Sequence, residues 1–163
     1  MSGSVFNVVK WFGVGALVWV FSVSAQACLP TDLPASDPSS GAGRCLDKSR
    51  PGVVTLLNET ECAPCQNVLN LLLELKKEMG SSVPFQIVWL DKDASQCTRS
   101  ALRFSALGGN FCAKRSDAQS RWQVGETPTA FWSEGSNSRR VVGFERSEIW
   151  RDRLTKIKNG PRP

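Results

Sequence analysis

Two cysteines separated by two residues, Cys62-Ala63-Pro64-Cys65, stand between a short apolar run and an amphipathic run. The apolar run at 53–57 is rich in β-branched residues and predicts a buried strand. From Cys62 onward apolar residues recur at helical spacing until Gly80, which predicts a helix that begins at the first cysteine. A helix N-terminus stabilises a thiolate, and Cys65, one turn later, is placed to attack a disulfide formed on Cys62. The pattern therefore predicts a redox dithiol.

The composition narrows the possible chemistry further, because the chain of 163 residues contains no histidine and no tyrosine. This excludes Ser-His-Asp triads, Cys-His proteases and histidine-ligated zinc and iron sites. Six cysteines remain for covalent or redox chemistry, at positions 28, 45, 62, 65, 97 and 112. Dithiol exchange requires neither a metal nor an organic cofactor, so we expect none.

Residues 1–27 predict a cleaved signal peptide. Lys10 is followed by an apolar run of 13 residues, 11–23, interrupted only by Ser22, and then by the cleavage pattern Ala25-Gln26-Ala27. Two alternatives stay open, a retained N-terminal membrane anchor and a lipidated Cys28. The sequence favours export to the periplasm over membrane anchoring.

The charge pattern does not favour a nucleic-acid partner. Removal of residues 1–27 takes away only Lys10, which leaves a net charge of +4. The basic residues of 139–158 are interleaved with Glu145, Glu148 and Asp152, as on a solvated surface. We therefore expect no nucleic acid to bind.

The rest of the chain predicts alternating strands and helices. We expect a strand at 85–90, helices at 95–107 and about 116–124, strands at 129–133 and 139–144, and a helix at 147–158. Gly108-Gly109-Asn110 is interpreted as the end of the second helix. The inner face of the last helix is predicted to carry Ile149, Trp150, Leu154 and Ile157.

A C-x-P-C that follows a strand and opens a helix, with Thr127-Pro128 before a hairpin and a terminal helix, resembles the thioredoxin superfamily. The resemblance covers residues 51–158, with 28–50 as a polar N-terminal extension and 159–163 as a tail. It implies a thioredoxin-like α/β fold with a central mixed β-sheet flanked by helices. It also implies that Pro128 is cis and packs against the dithiol, and that the backbone of Thr127 binds a substrate polypeptide as an added strand.

The segment from Cys97 to Cys112 and the run 125–129 are similar to DsbC/DsbG-type periplasmic disulfide isomerases. That similarity implies a structural disulfide between Cys97 and Cys112. Residues 28–50 are too short for the dimerisation domain of that group. We expect Cys28 and Cys45 to form a disulfide that holds this extension together. The alternative is that this pair transfers electrons to the main dithiol.

The chain departs from the thioredoxin pattern at the active site. Leu56 stands where thioredoxin has a buried aspartate, so the usual proton acceptor is missing, and Glu59, Glu61 and Glu126 are candidate substitutes. Glu61 directly precedes Cys62, where its charge opposes a thiolate. Ala63-Pro64 is closer to the Gly-Pro of reducing thioredoxins than to the dipeptides of strong oxidants, which indicates a low potential.

These observations predict a thiol-disulfide oxidoreductase with reductase- or isomerase-like activity, in which Cys62 is the nucleophile and Cys65 resolves the mixed disulfide. The expected substrates are exported proteins that contain cysteines, and a membrane redox partner would recharge the dithiol. The alternative function is a non-catalytic binding or assembly module of an envelope complex. For Cys62 and Cys65 themselves, an inert bridge or half of a zinc site with Cys97 and Cys112 are the alternatives.

Overall fold

A computed structural model describes residues 28–80, 84–90, 93–134 and 137–159 of the chain. The predicted signal peptide and residues 160–163 of the predicted tail lie outside the described residues. Within the described ranges, no helix is both long enough and apolar enough to cross a membrane.

The described residues form seven strands and four helices that alternate along much of the chain. In chain order they are β1 (Leu33–Ser36), β2 (Gly43–Leu46), β3 (Val54–Asn58), α1 (Ala63–Met79), β4 (Phe85–Trp89), α2 (Ala94–Arg103), β5 (Gly108–Ala113), α3 (Arg115–Trp122), β6 (Thr129–Glu134), β7 (Asn137–Val142) and α4 (Ser147–Asn159).

The strands form one mixed sheet in the order β2-β1-β5-β4-β3-β6-β7. The three central strands β5, β4 and β3 are parallel, and the strands on both sides of them pair antiparallel. The predicted α/β class with a central mixed sheet is confirmed. Because β3, β4 and β5 are parallel, their carboxyl ends lie at one edge of the sheet, and Cys62 follows β3 at that edge.

Both faces of the sheet carry a hydrophobic core, because successive side chains of a strand point to opposite faces. On one face, Val54 and Leu56 of β3 belong to a cluster with residues of α1, α2 and α4. On the other face, Leu57 belongs to a second cluster with residues of α3. The two clusters also bury four tryptophans, Trp89, Trp122, Trp132 and Trp150.

The interpretation of Gly108-Gly109-Asn110 as the end of a helix is wrong. The second helix already ends at Arg103, and residues 108–113 form β5, which pairs with β4. A Cβ atom on Gly108 would lie 2.2 Å from the carbonyl oxygen of Phe85, so the close approach of the two strands requires glycine. Because β5 begins with two glycines and contains no β-branched residue, the sequence did not indicate a strand here.

The predicted inner face of α4 is correct for three of its four residues. Trp150 and Leu154 are buried, and Ile157 packs against the same cluster, whereas Ile149 is 42% exposed. Residues 150, 154 and 157 follow the i, i+4, i+7 spacing of a single helical stripe. Ile149 lies one position outside that stripe and faces solvent.

The segment 28–50, called the extension below, is part of the same sheet. β1 pairs with β5, and β2 pairs with β1 as the outermost strand. Leu33 is completely buried and Leu46 nearly so, both in the cluster that contains Trp122. The indole N–H of Trp122 donates to the carbonyl of Thr31 at 2.8 Å. The extension therefore supplies part of the core although most of its side chains are polar.

This arrangement predicts that the variant Leu33→Ala lowers the free energy of unfolding by about 2–5 kcal/mol, because it leaves a cavity in the second cluster. The matched control is Leu29→Ala, since the side chain of Leu29 in the same extension is 65% exposed, and we expect a change within about 0.5 kcal/mol. Urea denaturation measures both. Equal effects of the two substitutions would show that the extension contributes nothing to the core.

Candidate active site

Cys62 occupies the N-cap position of α1, and Pro64 lies in the first turn of that helix. The backbone of Cys62 is extended, with φ −104° and ψ 105°. A proline in the first turn costs no hydrogen bond, because the first N–H groups of a helix have no partner within the helix. The sequence thus starts the helix at the motif, as predicted, and the two cysteines form a disulfide.

The two sulfurs differ in accessibility. Cys62 is partly exposed, whereas Cys65 is completely buried in the first turn of α1. The backbone N–H of Cys65 donates to Sγ of Cys62 at 3.2 Å. An N–H group aimed at this sulfur stabilises negative charge on it when the disulfide is open. Cys62 is therefore the sulfur that an outside disulfide can reach, and Cys65 is enclosed behind it.

The loop that contains Thr127 and Pro128 lies against the dithiol. Sγ of Cys62 is 3.6 Å from the carbonyl oxygen of Thr127. The peptide bond between Thr127 and Pro128 is cis, and Pro128 is buried. The hydroxyl of Thr129 donates to the carbonyl of Glu126 at 2.6 Å, which ties the loop together behind the proline. The structure thus brings Cys62, Cys65, Thr127 and Pro128 into one site.

An apolar surface beside this loop was not recognised in the sequence. Val142 and Phe144 are 43% and 52% exposed, and they flank Gly143. The N–H of Gly143 donates to the carbonyl of Pro128 at 2.8 Å, so both side chains lie near the proline loop. In the sequence these residues are marked only by their position at the end of the predicted hairpin. The pairing of Val142 with Thr129 is what brings them next to Pro128.

None of the polar residues found buried in the described part of the chain carries a charge. The buried polar residues are Thr55, Asn58, Gln86, Ser100 and Thr129. Leu56, which stands at the position of the thioredoxin aspartate, is 1% exposed in the core. Neither polar atom of the Asn58 side chain has a hydrogen-bond partner, and the sequence did not single out this residue. Cys65 is therefore enclosed without a buried carboxyl group to accept its proton.

The three glutamates considered as substitutes lie in different environments. Glu59 is partly buried and forms an ion pair with Arg115 at the beginning of α3. Glu61 and Glu126 are exposed, and they stand next to Cys62 and Thr127 in the chain. These two carboxylates give the rim of the site a negative charge.

The other four cysteines form two further disulfides, Cys28–Cys45 and Cys97–Cys112. The four cysteines of the zinc alternative are therefore divided between two separate disulfides. Because Cys28 is bonded to Cys45, it has no free thiol to which a lipid could be attached, as the alternative of a lipidated Cys28 would require. Cys97 is 1% exposed, and the partly buried Cys112 packs against the cluster that contains Trp89, whereas Cys45 is exposed on β2.

Known structures of similar fold include proteins described as disulfide oxidoreductases or thiol:disulfide interchange proteins. A secreted disulfide oxidoreductase of Mycobacterium tuberculosis, described as homologous to Escherichia coli DsbE, superimposes with a TM-score of 0.62 over 77% of this chain and 96% of its own, at 14% identity. A putative thiol:disulfide interchange protein DsbE of Chlorobium tepidum gives 0.59 over 78% and 94%, at 17% identity. StoA of Bacillus subtilis gives 0.55 over 77% and 98%, at 14% identity.

The chain has the thioredoxin fold. No protein-family model and no curated protein sequence matches it. Relative to that fold, the dithiol takes the expected place after β3, at the N-terminus of α1. The structures named above carry the names DsbE and StoA, so the DsbC/DsbG subfamily stays a prediction from sequence.

On this thioredoxin fold, the position of Glu61 beside the N-cap predicts a change in the reactivity of Cys62. Glu61→Gln removes a negative charge next to the sulfur, so in the reduced protein we expect a lower pKa of the Cys62 thiol and faster alkylation at neutral pH. The matched control is Glu74→Gln, an exposed position about three turns further along α1. The pH dependence of iodoacetamide alkylation measures the effect. A rate unchanged by Glu61→Gln would show that this charge is fully screened from the sulfur.

Proposed function

We propose that this protein is a thiol-disulfide oxidoreductase that acts on exported proteins containing cysteines. The observation that carries the proposal is the asymmetry of the dithiol. Cys62 is partly exposed at the N-cap of α1 and receives the Cys65 N–H at 3.2 Å, while Cys65 is buried one turn behind it. An accessible sulfur that is stabilised as a thiolate, followed by an enclosed sulfur, is the arrangement that thiol-disulfide exchange requires.

The reaction proceeds in two exchange steps. The Cys62 thiolate attacks one sulfur of a substrate disulfide, and the other substrate sulfur leaves as a thiolate. Cys65 then loses its proton and attacks Sγ of Cys62, which releases the second substrate sulfur and closes the Cys62–Cys65 disulfide. The substrate gains two electrons and the protein loses two. With the protein oxidised and the substrate reduced, the same steps run in reverse.

The substrate polypeptide binds along the loop beside Cys62. Thr127 offers its backbone as the pairing edge for an extended segment, and its carbonyl lies 3.6 Å from the reacting sulfur. Val142 and Phe144 supply exposed apolar surface next to it. Backbone pairing and apolar contact depend little on the exact sequence of the substrate, so this mode of binding suits substrates of varied sequence.

The cellular setting follows from residues 1–27, which predict export. We place the activity in the periplasm, with a membrane redox partner that recharges the dithiol. The known structures of similar fold include a protein described as secreted, which supports an exported role. Because the dipeptide between the cysteines is Ala63-Pro64, the proposal assigns reductase- or isomerase-like activity rather than strong oxidation.

The roles of the two cysteines predict opposite behaviour of two single variants. Reduced Cys65→Ser, incubated with a disulfide-containing protein, accumulates a mixed disulfide through Cys62 because no second sulfur resolves it. The matched variant Cys62→Ser retains only the buried Cys65 at the site and forms little or none. Non-reducing electrophoresis with peptide mapping measures both. Equal adducts from the two variants would contradict the assigned roles.

The redox potential of the Cys62–Cys65 couple tests whether the protein reduces or oxidises its substrates. We expect a value toward the thioredoxin end of the known range, about −270 mV rather than about −120 mV. Equilibration against dithiothreitol or glutathione buffers, with quenched alkylation, measures it. A disulfide that opens in none of these buffers would favour a non-catalytic assembly module instead.

A further inference from the structure

The Cys28–Cys45 disulfide, called the extension disulfide below, differs from the other structural pair in its exposure. Cys45 is exposed, whereas Cys97 is 1% exposed; their partners Cys28 and Cys112 are both partly exposed, and Cys112 packs against the cluster that contains Trp89. Thiol-disulfide exchange requires a thiolate to approach a sulfur directly, and exposed disulfides are the ones that exchange readily. The extension disulfide is therefore a second sulfur pair that an outside thiolate can reach.

Opening this disulfide leaves the extension held in place by other contacts. Leu33 and Leu46 stay buried in the second cluster, and β1 stays paired with β5. The guanidinium of Arg121 donates to the carbonyls of Leu29 and Asp32 at 3.0 and 3.2 Å. The extension disulfide can thus be opened and closed without unfolding the segment that carries it.

The sheet places the extension disulfide at the same edge as the dithiol. Ala35 of β1 pairs with Ala113 at the carboxyl end of β5, so the first half of β1 reaches beyond that end. Cys45 pairs with Pro34 in this first half. The carboxyl end of β3, which Cys62 follows, lies at the same edge. Both sulfur pairs therefore lie at the same edge of the sheet.

The two pairs of one molecule are nevertheless too far apart to react with each other. Four strand spacings separate β3 from β2 in the sheet, which amounts to about 19 Å. The extension cannot swing across this distance while Leu33 and Leu46 are buried. A sulfur that reacts with Cys45 must come from another molecule.

The charges beside the two sulfur pairs are complementary. Exposed Glu61 and Glu126 stand beside Cys62 and Thr127 at the rim of the dithiol. Exposed Arg44 directly precedes Cys45, and its carbonyl oxygen is 3.9 Å from Sγ of Cys28. Hydrogen bonds from Ser39 lower the pKa of Asp37, which follows β1, and the nearby charge of Arg44 lowers it further. The carboxylate of Asp47, directly after β2, accepts from the N–H of Ser49. The opposite charges of Arg44 and the two glutamates steer the encounter of two molecules.

We propose that the extension disulfide is a second redox site, which exchanges an electron pair with the Cys62/Cys65 dithiol of a second copy of this protein. The inference rests on the proposed function, since it requires a reactive dithiol. The Cys62 thiolate of one copy attacks Sγ of Cys45 in the other, and Cys28 leaves as a thiolate and takes a proton from water. Cys65 then gives up its proton and attacks Cys62, which releases Cys45. The donor copy ends with a Cys62–Cys65 disulfide and the acceptor copy with two thiols.

The test uses two full-length variants that each keep one partner of the reaction. The donor is reduced Cys28→Ser/Cys45→Ser, which retains the dithiol, and the acceptor is oxidised Cys62→Ser/Cys65→Ser, which retains the extension disulfide. We expect two new thiols in the acceptor after mixing, located at Cys28 and Cys45 by alkylation and mass spectrometry. When the donor also carries Cys65→Ser, a covalent pair joined through Cys62 and Cys45 should accumulate.

A control acceptor lacks both pairs, as Cys28→Ser/Cys45→Ser/Cys62→Ser/Cys65→Ser, and retains only Cys97–Cys112, in which Cys97 is buried and Cys112 partly buried. It should gain no thiols, and circular dichroism should show the donor and both acceptors folded. The donor's reaction with hydroxyethyl disulfide, a small neutral disulfide, measures the dithiol by itself. A donor that reduces this probe but not the extension disulfide would overturn the inference and leave the proposed function intact. A donor that reduces neither would overturn both.

Reversal of the charges at Arg44 and Glu61 tests whether these two residues meet when the two copies associate. Arg44→Glu in the acceptor should slow transfer about two- to five-fold, the effect of one exposed ion pair. Glu61→Lys in the donor should restore the rate with this acceptor, after each donor is normalised to its rate with hydroxyethyl disulfide. A rate that does not respond to the charges would contradict the assigned contact between the two edges.

Discussion

The junction between the end of β3 and the N-terminus of α1 determines most of what this protein can do. Cys62 is the N-cap of the helix, so its sulfur receives the N–H of Cys65 and lies at the positive end of the helix dipole. The proline loop closes the other side, with the carbonyl of Thr127 3.6 Å from the same sulfur. The hydrogen bond from Gly143 to Pro128 holds the end of β7 beside that loop. One sulfur is thereby stabilised, oriented and left accessible.

The two-sided core explains how this junction is kept rigid. Val54 and Leu56 pack toward α1, and Leu57 packs toward α3. The strand that leads to the dithiol is buried over its full length, and it pairs with β4 on one side and β6 on the other. Of the two polar residues in this strand, Thr55 donates to the side chain of Gln86, whereas the side chain of Asn58, at the last position, is unpaired. A buried amide without partners costs free energy, so its place just before the site is a feature that packing by itself does not explain.

The sequence predicted the strand, the helix and the dithiol because these signals are local. Periodicity, the proline in the first turn and the glycine at the end of α1 each act within a few residues. It missed β5 because Gly108 fits the sheet by close backbone approach, a property that appears only when β4 lies beside it. It also described 28–50 as a polar extension, because two buried leucines among polar residues give no periodic pattern. Their partner Trp122 lies more than seventy residues away in the chain.

What the sequence determined by itself is the chemistry: six cysteines, no histidine, and a C-x-P-C motif at a helix N-terminus. These properties depend on residue identity and on neighbours within one helical turn. The tertiary structure decided which cysteines pair, which sulfurs are accessible, and which charges and apolar side chains surround them. It separated an exposed disulfide at Cys45 from a buried one at Cys97, a difference that sequence spacing does not contain. Exposure is a property of the packed sheet and its helices, because burial of a sulfur depends on residues that are distant in the chain.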